Sequence, residues 1–354
     1  MRVRAMSPPG KVTVGRTVDW GFAAAFGAKL ARPAPAATEY TRRQAIDQLA
    51  SSALRAEMPV REVTGLNEGG EVSEARIIDR PEWIRAASNS MRAMTGGKET
   101  DKPHFITGRV TGAQTGAVLA FISSGILGQY DPFADNGGEL LLVYPNVIAV
   151  ERQLRVTPAD FRLWVCLHEV THRVQFRANP WLADHMSRAL AVLTEETGDD
   201  ISEMIGRLAG FVRDRREGVA AEPNSTGVLG VLRAVQSEPQ QRALDQLLVL
   251  GTLLEGHADH VMDAVGPAVV PSVATIRRRF EERRTRKQPP LQRVLRALLG
   301  IDAKMSQYTR GKAFVDHVVD RVGMARFNTI WTGPETLPLP DEIEEPQRWI
   351  DRVP

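Results

Sequence analysis

Residues 157–176 read TPADFRLWVCLHEVTHRVQF and contain the most informative pattern in the chain. Pro158 suits the first turn of a helix, Thr157 can cap that turn, and Asp160 can complete a capping box. The apolar residues that follow recur with the period of a helix and leave few polar positions. The stretch therefore predicts a buried helix that continues to residue 176.

Within this helix, residues 168–172 read HEVTH, which is the pattern H-E-x-x-H. Histidines four residues apart lie one turn apart on the same face, so His168 and His172 can bind one zinc ion. Glu169 lies about 100° further around the helix and can act as general base towards the zinc-bound water. The chain has only seven histidines, so a chance match to this pattern is rare. Two core histidines beside a buried glutamate are the alternative, and that cluster would be costly without a cation.

The motif supplies two ligands, and a catalytic zinc site needs a third from the protein. The pattern with a third histidine six residues after the motif is absent, because Ala178 occupies that position. A glutamate is the remaining choice, typically in E-x-x-x-D, where the aspartate holds a ligand histidine. Two segments contain it: TEETGDD, with Glu195 and Glu196, and GTLLEGHADHVMD, with Glu255 and Asp259.

Helix geometry favours Glu255 as the third ligand. With Leu244 set to zero and about 100° per residue, Glu255 lies near 20°, within the apolar stripe, and Asp259 lies near 60°. A carboxylate in an apolar stripe needs a cation. The earlier glutamates lie where Gly198 ends a helix, and a carboxylate is unfavourable at that end of the helix dipole. His257 points away, although local unwinding would turn it inward.

The clearest strand in the sequence is 139–144, ELLLVY, an apolar run between a glycine and a proline. A Gly-rich apolar stretch at 112–129 predicts a buried helix packed through its small residues. Other segments with helical period are 18–30, 41–57, 80–94, 237–265 and 272–287. The predicted fold class is mainly α with a small β-sheet. We expect a single domain over 1–354, with an N-terminal helical subdomain at 1–138 and a metal-site subdomain at 139–354.

Composition excludes several classes of protein. The 354 residues hold 45 Lys and Arg against 43 Asp and Glu. The net charge is therefore too small to attract nucleic acid or an anionic membrane strongly. One cysteine excludes an internal disulfide. No run approaches the roughly 20 apolar residues of a membrane helix, so we expect no membrane partner. Residues 1–30 have basic residues early and an apolar stretch at 20–28, as in a signal peptide, but Asp19 directly precedes that stretch and it also fits an amphipathic helix, so we expect a cytoplasmic protein. The basic stretch 277–287 includes two acids, which predicts a solvated helix face and no nucleic-acid partner.

Three segments resemble the zincin-like metallopeptidase family: the motif at 168–172, EGHADHVMD at 255–263 and PLQRVLRALLGIDAKMSQYTRGKAF at 290–314. The resemblance covers nearly the whole chain, from 18 to 349. Members of that family are mainly helical around an H-E-x-x-H site. They are described as zinc-dependent hydrolases, often associated with deazaflavin-coenzyme biosynthesis, and their substrates are undefined. The resemblance implies that the motif binds zinc and, less directly, that Glu255 completes the site.

The predicted function is that of a zinc-dependent metallohydrolase, most simply a metallopeptidase acting on a peptide or small amide. Glu169 would take a proton from the zinc-bound water and deliver it to the leaving amine. A further donor usually shares the oxyanion, and Tyr308, Arg310 and His317 are candidates because they are polar residues near the family segment. The strand 139–144 is expected to offer an edge to an extended peptide.

Two other functions agree with the same residues. The site could hydrolyse a non-peptide amide or ester, or the chain could be a catalytically inactive zincin-fold scaffold or binding protein. A fourth protein ligand would favour the scaffold, and a position open to water would favour the enzyme. The sequence predicts neither the substrate nor the oligomeric state.

Overall fold

The computed structural model of the chain describes residues 17–66, 73–98, 104–134, 137–194, 237–285 and 301–354, and most of them lie in helices. The predicted fold class, mainly α with a small β-sheet, is confirmed. In chain order the helices are α1 Trp20–Leu30, α2 Glu39–Thr64, α3 Arg80–Met94, α4 Phe105–Ile122, α5 Tyr144–Leu154, α6 Pro158–Ala178, α7 Trp181–Thr194, α8 Glu238–Val269, α9 Val273–Thr285, α10 Ile301–Val322, α11 Met324–Phe327 and α12 Pro346–Arg352.

The described residues form one three-stranded sheet, made of β1 Arg76–Ile78, β2 Gly128–Asp131 and β3 Glu139–Val143. The strand order is β1-β3-β2, with β1 parallel and β2 antiparallel to β3. The predicted strand is therefore present, but the expectation that it offers an edge is wrong, because β3 is the central strand and pairs on both sides. The outer strands are β1 and β2.

Helix α6 is central to the main hydrophobic core and packs against α2, α8 and β2. Two of its arginines are buried together with their carboxylate partners. Arg162 forms an ion pair of 2.7 Å with Glu151 of α5, and Arg173 forms one of 2.5 Å with Glu57 of α2. Removal of Arg162 would leave the buried carboxylate of Glu151 without this ion pair, which typically costs about 3–5 kcal/mol, whereas Glu57 also pairs with Arg61 at 2.7 Å. These pairs fix the orientation of the helix that carries the H-E-x-x-H motif.

The start of α6 differs from its predicted cap. Pro158 is the first helical residue, as predicted, but the side chain of Thr157 makes no capping hydrogen bond. Asp160 instead accepts a hydrogen bond of 3.0 Å from the backbone N–H of Ser272. The predicted capping box is therefore wrong, because Asp160 ties α6 to the turn before α9.

The Gly-rich stretch 112–129 is only partly the buried helix that the sequence predicts. Helix α4 packs on α1 through its glycines, and a Cβ at Gly116 would lie 2.5 Å from the carbonyl oxygen of Ala23. The opposite side is open to solvent, with Val110 53% and Val118 40% exposed. The end of the stretch forms β2. Among the described helices, none combines the length and apolarity that a membrane span requires.

Helices α8 and α10 cross at a pair of glycines next to the candidate site. A Cβ at Gly256 would lie 2.5 Å from the carbonyl oxygen of Gly311 and 2.6 Å from the backbone nitrogen of Lys312. Both contacts are with backbone atoms, so a larger residue at Gly256 would push the helices apart. The crossing point lies one residue after Glu255, so this close contact also fixes the position of Glu255 on α8.

Candidate metal centre

Three potential ligands from two helices converge beside the core. His168 and His172 lie on α6, and Glu255 lies on α8. The Nε2 atoms of the two histidines are 3.2 Å apart. Oε2 of Glu255 lies 3.3 Å from Nε2 of His168 and 3.7 Å from Nε2 of His172. Among the described residues this is the one group of three such side chains that could hold a metal ion.

The geometry of the three ligand atoms fits a tetrahedral zinc ion. Bonds of 2.0–2.2 Å to nitrogen and oxygen place ligand atoms about 3.3–3.6 Å apart at the corners of a tetrahedron. The observed separations run from 3.2 to 3.7 Å. The imidazole planes of His168 and His172 meet at 88°, so the rings approach a shared point from different directions. Two imidazoles and one carboxylate form a ligand set that leaves one position for a substrate or water.

The three candidate ligands are coupled electrostatically. Burial opposes protonation of His168, but the hydrogen bond to Glu255 and the charges of Glu169, Glu255 and Asp259 outweigh it and raise its pKa to about 9. Burial disfavours the charged form of Glu255, yet interactions with the two histidines, the largest of them a hydrogen bond from His168, hold its pKa well below the usual range. In the metal-free protein a proton on His168 therefore neutralises part of the negative charge of the neighbouring carboxylates. A bound cation would neutralise the same charge.

The outer nitrogens of the two histidines have different partners. Nδ1 of His172 lies 2.9 Å from Oε1 of Gln175, and Nδ1 of His168 lies 3.3 Å from the sulfur of Met262. The sequence suggests Asp259 for this supporting role. In the structure the carboxylate of Asp259 lies 3.7 Å from Arg277 of α9, and its charge contributes to the raised pKa of His168.

Glu169 is buried, with 7% of its surface exposed. Burial raises its pKa, whereas the charges of His168 and His172 act in the opposite direction. Its side chain lies against β2, since a Cβ at Gly128 would be 2.6 Å from Cγ and 2.8 Å from Cδ of Glu169. The glycine is required by this close approach, and it places the outer strand of the sheet directly against the predicted base.

The two other histidines of α8 lie outside the cluster. His257 is fully buried, and its ring centroid is 5.2 Å from that of Phe327 and 5.5 Å from that of Trp331. Burial, with the charges of His260 and His172, lowers the pKa of His257 to about 3. His260 forms a 2.8 Å contact with Asp316 of α10. Neither is placed to complete the group of ligands.

Several predicted residues are engaged elsewhere or fall outside the described part. Glu195 and Glu196, the alternative third ligands, lie outside the described residues. Tyr308 belongs to α10, but its side chain is outside the described set, so its role as oxyanion donor stays a prediction. Arg310 forms a 2.8 Å ion pair with Glu344. Nε2 of His317 is buried and has no hydrogen-bond partner among the described residues.

The basic stretch on α9 is held within the chain where it is described. Nε of Arg277 lies 2.7 Å from the carboxylate of Asp263. Arg279 donates a hydrogen bond of 2.7 Å to the carbonyl oxygen of Leu154 at the end of α5, where a cation is favourable. These contacts agree with a structural role, and the absence of a nucleic-acid partner stays a prediction.

Gln175, Met262 and Gly128 lie beside the predicted metal site and were not predicted to contribute to it. Gln175 has a usable signal, because it follows His172 by three residues and side chains at that spacing meet on a helix. Met262 follows Glu255 by two turns on α8. No pattern marks Gly128, whose position depends on the pairing of two strands.

The chain was compared with known proteins. The sequence profile described as zincin-like metallopeptidase matches residues 18–350. A crystal structure from Chloroflexus aurantiacus, described as "a putative hydrolase with a novel fold", is similar to this chain with a TM-score of 0.64 and 29% sequence identity. The similarity covers 95% of this chain and 98% of the other. No curated protein matches this chain.

Proposed function

Since this chain belongs to the zincin-like metallopeptidase family, we propose that it is a zinc-dependent hydrolase that cleaves peptide bonds. The proposal is carried by one observation. Nε2 of His168, Nε2 of His172 and Oε2 of Glu255 form a triangle with sides of 3.2–3.7 Å, and the buried Glu169 follows His168 directly on α6. The similar crystal structure from Chloroflexus aurantiacus, described as "a putative hydrolase", supports the general class.

The chain supplies a ligand set and a base. His168, His172 and Glu255 would hold zinc, which when bound polarises a carbonyl group and lowers the pKa of water towards about 7. Glu169 has the role of proton carrier: its carboxylate accepts a proton from the attacking water and donates it to the leaving nitrogen. Burial raises the pKa of Glu169, which makes its carboxylate a stronger base than an exposed one.

The outer strand β2 favours an extended peptide as the substrate. Gly128 begins β2 and touches Glu169, so the strand starts beside the proposed base. No described strand pairs with the other side of β2. An extended peptide can add through backbone hydrogen bonds to the partly exposed half of this edge, Gly128 and Gln129, whereas Tyr130 and Asp131 are buried. This assigns to β2 the role that the sequence suggested for β3.

Purified protein tests the proposal when it is assayed with a peptide library and with small amide and ester substrates, with and without a chelator. We expect chelator-sensitive peptide cleavage that is lost in Glu169→Gln while zinc stays bound. Glu62→Gln, a change at an exposed position of α2, is the matched control and should keep full activity. Cleavage of esters or small amides alone would contradict the peptidase assignment. Stoichiometric zinc without turnover of any substrate would favour a scaffold.

A further inference from the structure

We propose that Gln175 is the positioning residue of the metal centre: it fixes the tautomer of His172 and ties that ligand to the helix that carries Glu255. The inference rests on the proposed zinc function and adds a residue to it. Gln175 is fully buried on α6, one turn after His172. A buried side-chain amide needs partners for its oxygen and for both hydrogens of its nitrogen.

The partners of Gln175 determine the orientation of its amide. Nε2 lies 3.0 Å from the carbonyl oxygen of Leu254 and 3.0 Å from Nδ1 of His257, and Oε1 lies 2.9 Å from Nδ1 of His172. The carbonyl oxygen of Leu254 can only accept a hydrogen bond, so the amide nitrogen must face it. An amide turned the other way would place two oxygens against each other. The oxygen of Gln175 therefore faces His172.

This orientation decides which nitrogen of His172 carries the proton. An amide oxygen is only an acceptor, so Nδ1 of His172 must donate. The neutral imidazole then has its lone pair on Nε2, and Nε2 is the atom that lies 3.2 Å from His168 and 3.7 Å from Glu255. Gln175 therefore prepares His172 as a ligand before any ion is bound.

The same amide links the two helices of the site. Leu254, whose carbonyl oxygen receives one hydrogen bond from Gln175, directly precedes Glu255 on α8. His257, which receives the other, follows Glu255 by two residues. Gln175 is thus bonded to α8 on both sides of the carboxylate ligand. Its amide sets the distance between the α6 ligands and the α8 ligand.

The other ligand histidine lacks comparable support. Nδ1 of His168 faces the sulfur of Met262 at 3.3 Å, and a thioether is a weak acceptor. Met262→Leu nearly conserves volume and removes that weak contact. Gln175→Leu replaces the amide by an apolar side chain of similar size and removes three hydrogen bonds. The two variants form a matched pair: Met262→Leu removes a weak contact to His168, whereas Gln175→Leu removes a strong hydrogen bond to His172.

The experiment measures zinc affinity of wild type, Gln175→Leu and Met262→Leu by competition with a chelator, and the absorption spectrum of each protein with Co²⁺. We expect Gln175→Leu to bind zinc about 10–100-fold more weakly and to change the Co²⁺ spectrum. We expect Met262→Leu, which removes only a weak acceptor, to weaken zinc binding much less than Gln175→Leu does. Equal affinities and spectra for both variants would overturn the role of Gln175 and leave the proposed function intact. A wild type without zinc affinity would overturn both.

A second measurement uses the unaltered protein, in case Gln175→Leu does not fold. The imidazole ¹⁵N shifts of the metal-free wild type report the tautomer of each histidine. The signals of His172 are identified because they are missing from the spectrum of His172→Gln. A neutral His172 protonated on Nδ1 supports the inference. Protonation on Nε2 would overturn it, because the amide of Gln175 could not then present its oxygen to the ring.

Discussion

Zinc affinity should rise steeply between pH 7 and pH 9, because the ion can bind His168 only after Nε2 has lost its proton. The neighbouring carboxylates raise the pKa of His168 to about 9 in the metal-free protein. At pH 7, two units lower, about one molecule in a hundred has a neutral His168. The apparent zinc affinity at pH 7 is therefore expected to be about 100-fold weaker than its limit, or about 3 kcal/mol.

Competition with a chelator of known pH dependence, from pH 6.5 to 9.5, measures this effect. Log affinity should increase by about one per pH unit up to about pH 9 and then level off. Asp259→Asn is a useful control, because the charge of Asp259 contributes to the raised pKa of His168 and Asp259 is not among the three ligands. Its pH dependence should level off at a lower pH. An affinity that is constant between pH 7 and pH 9 would refute the reasoning.

The sign of the same shifts predicts the stability of the metal-free protein. The pKa of His168 is raised above its unfolded value of 6.5, so its contribution is complete below pH 6.5 and is lost as the pH rises through about 9. The pKa of Glu255 is lowered from 4.5, so its contribution is present above pH 4.5 and is lost on acidification. The free energy of unfolding should therefore fall on both sides of this range.

Three substitutions test the geometry. Glu255→Ala should weaken zinc binding by more than about 100-fold, since a lost ligand costs more than a lost supporting bond; unchanged metal stoichiometry by elemental analysis would move the ligand role elsewhere. Gly128→Ala places a Cβ 2.6 Å from Cγ of Glu169 and should displace the carboxylate by about 1 Å, with an activity loss of about 100-fold and little change in zinc affinity. Wild-type turnover in this variant would argue against contact with the base. Gly256→Ala should lower the free energy of unfolding, measured by denaturant titration, by about 1–3 kcal/mol. An unaltered midpoint of unfolding would contradict the close helix crossing.

Helical periodicity explains why the convergence of the three candidate ligands could be predicted. The residues of α6 are apolar on most sides, so their period and the four-residue spacing of His168 and His172 place both imidazoles on one side of a buried helix. Glu255 was predicted because its phase on α8 agrees with that of the apolar residues around it. The structure brings these three side chains together, as their phases predicted.

The parts of the site that depend on contacts distant in sequence could not be predicted in the same way. Strands β1 and β2 have three and four residues, which is too short for a reliable period, so the outer position of β2 and the role of Gly128 were not evident. The cap predicted for α6 failed because Asp160 bonds to Ser272, more than 100 residues later. Local patterns carry no information about such partners.

The same reason explains the supporting bonds of the ligands. The spacing of Gln175 from His172 indicates contact, but its bonds to Leu254 and His257 depend on how α6 and α8 pack. Asp259 was predicted to hold a histidine from its spacing alone. In the structure its carboxylate lies near Arg277 of another helix, which the spacing within α8 does not report.

Anomalous scattering at the zinc absorption edge, from crystals of protein prepared with zinc, tests the central claim most directly. We expect one peak per chain, about 2.0–2.2 Å from Nε2 of His168, Nε2 of His172 and a carboxylate oxygen of Glu255. A peak held by other side chains, or no peak between α6 and α8 in zinc-containing crystals, would contradict the claim.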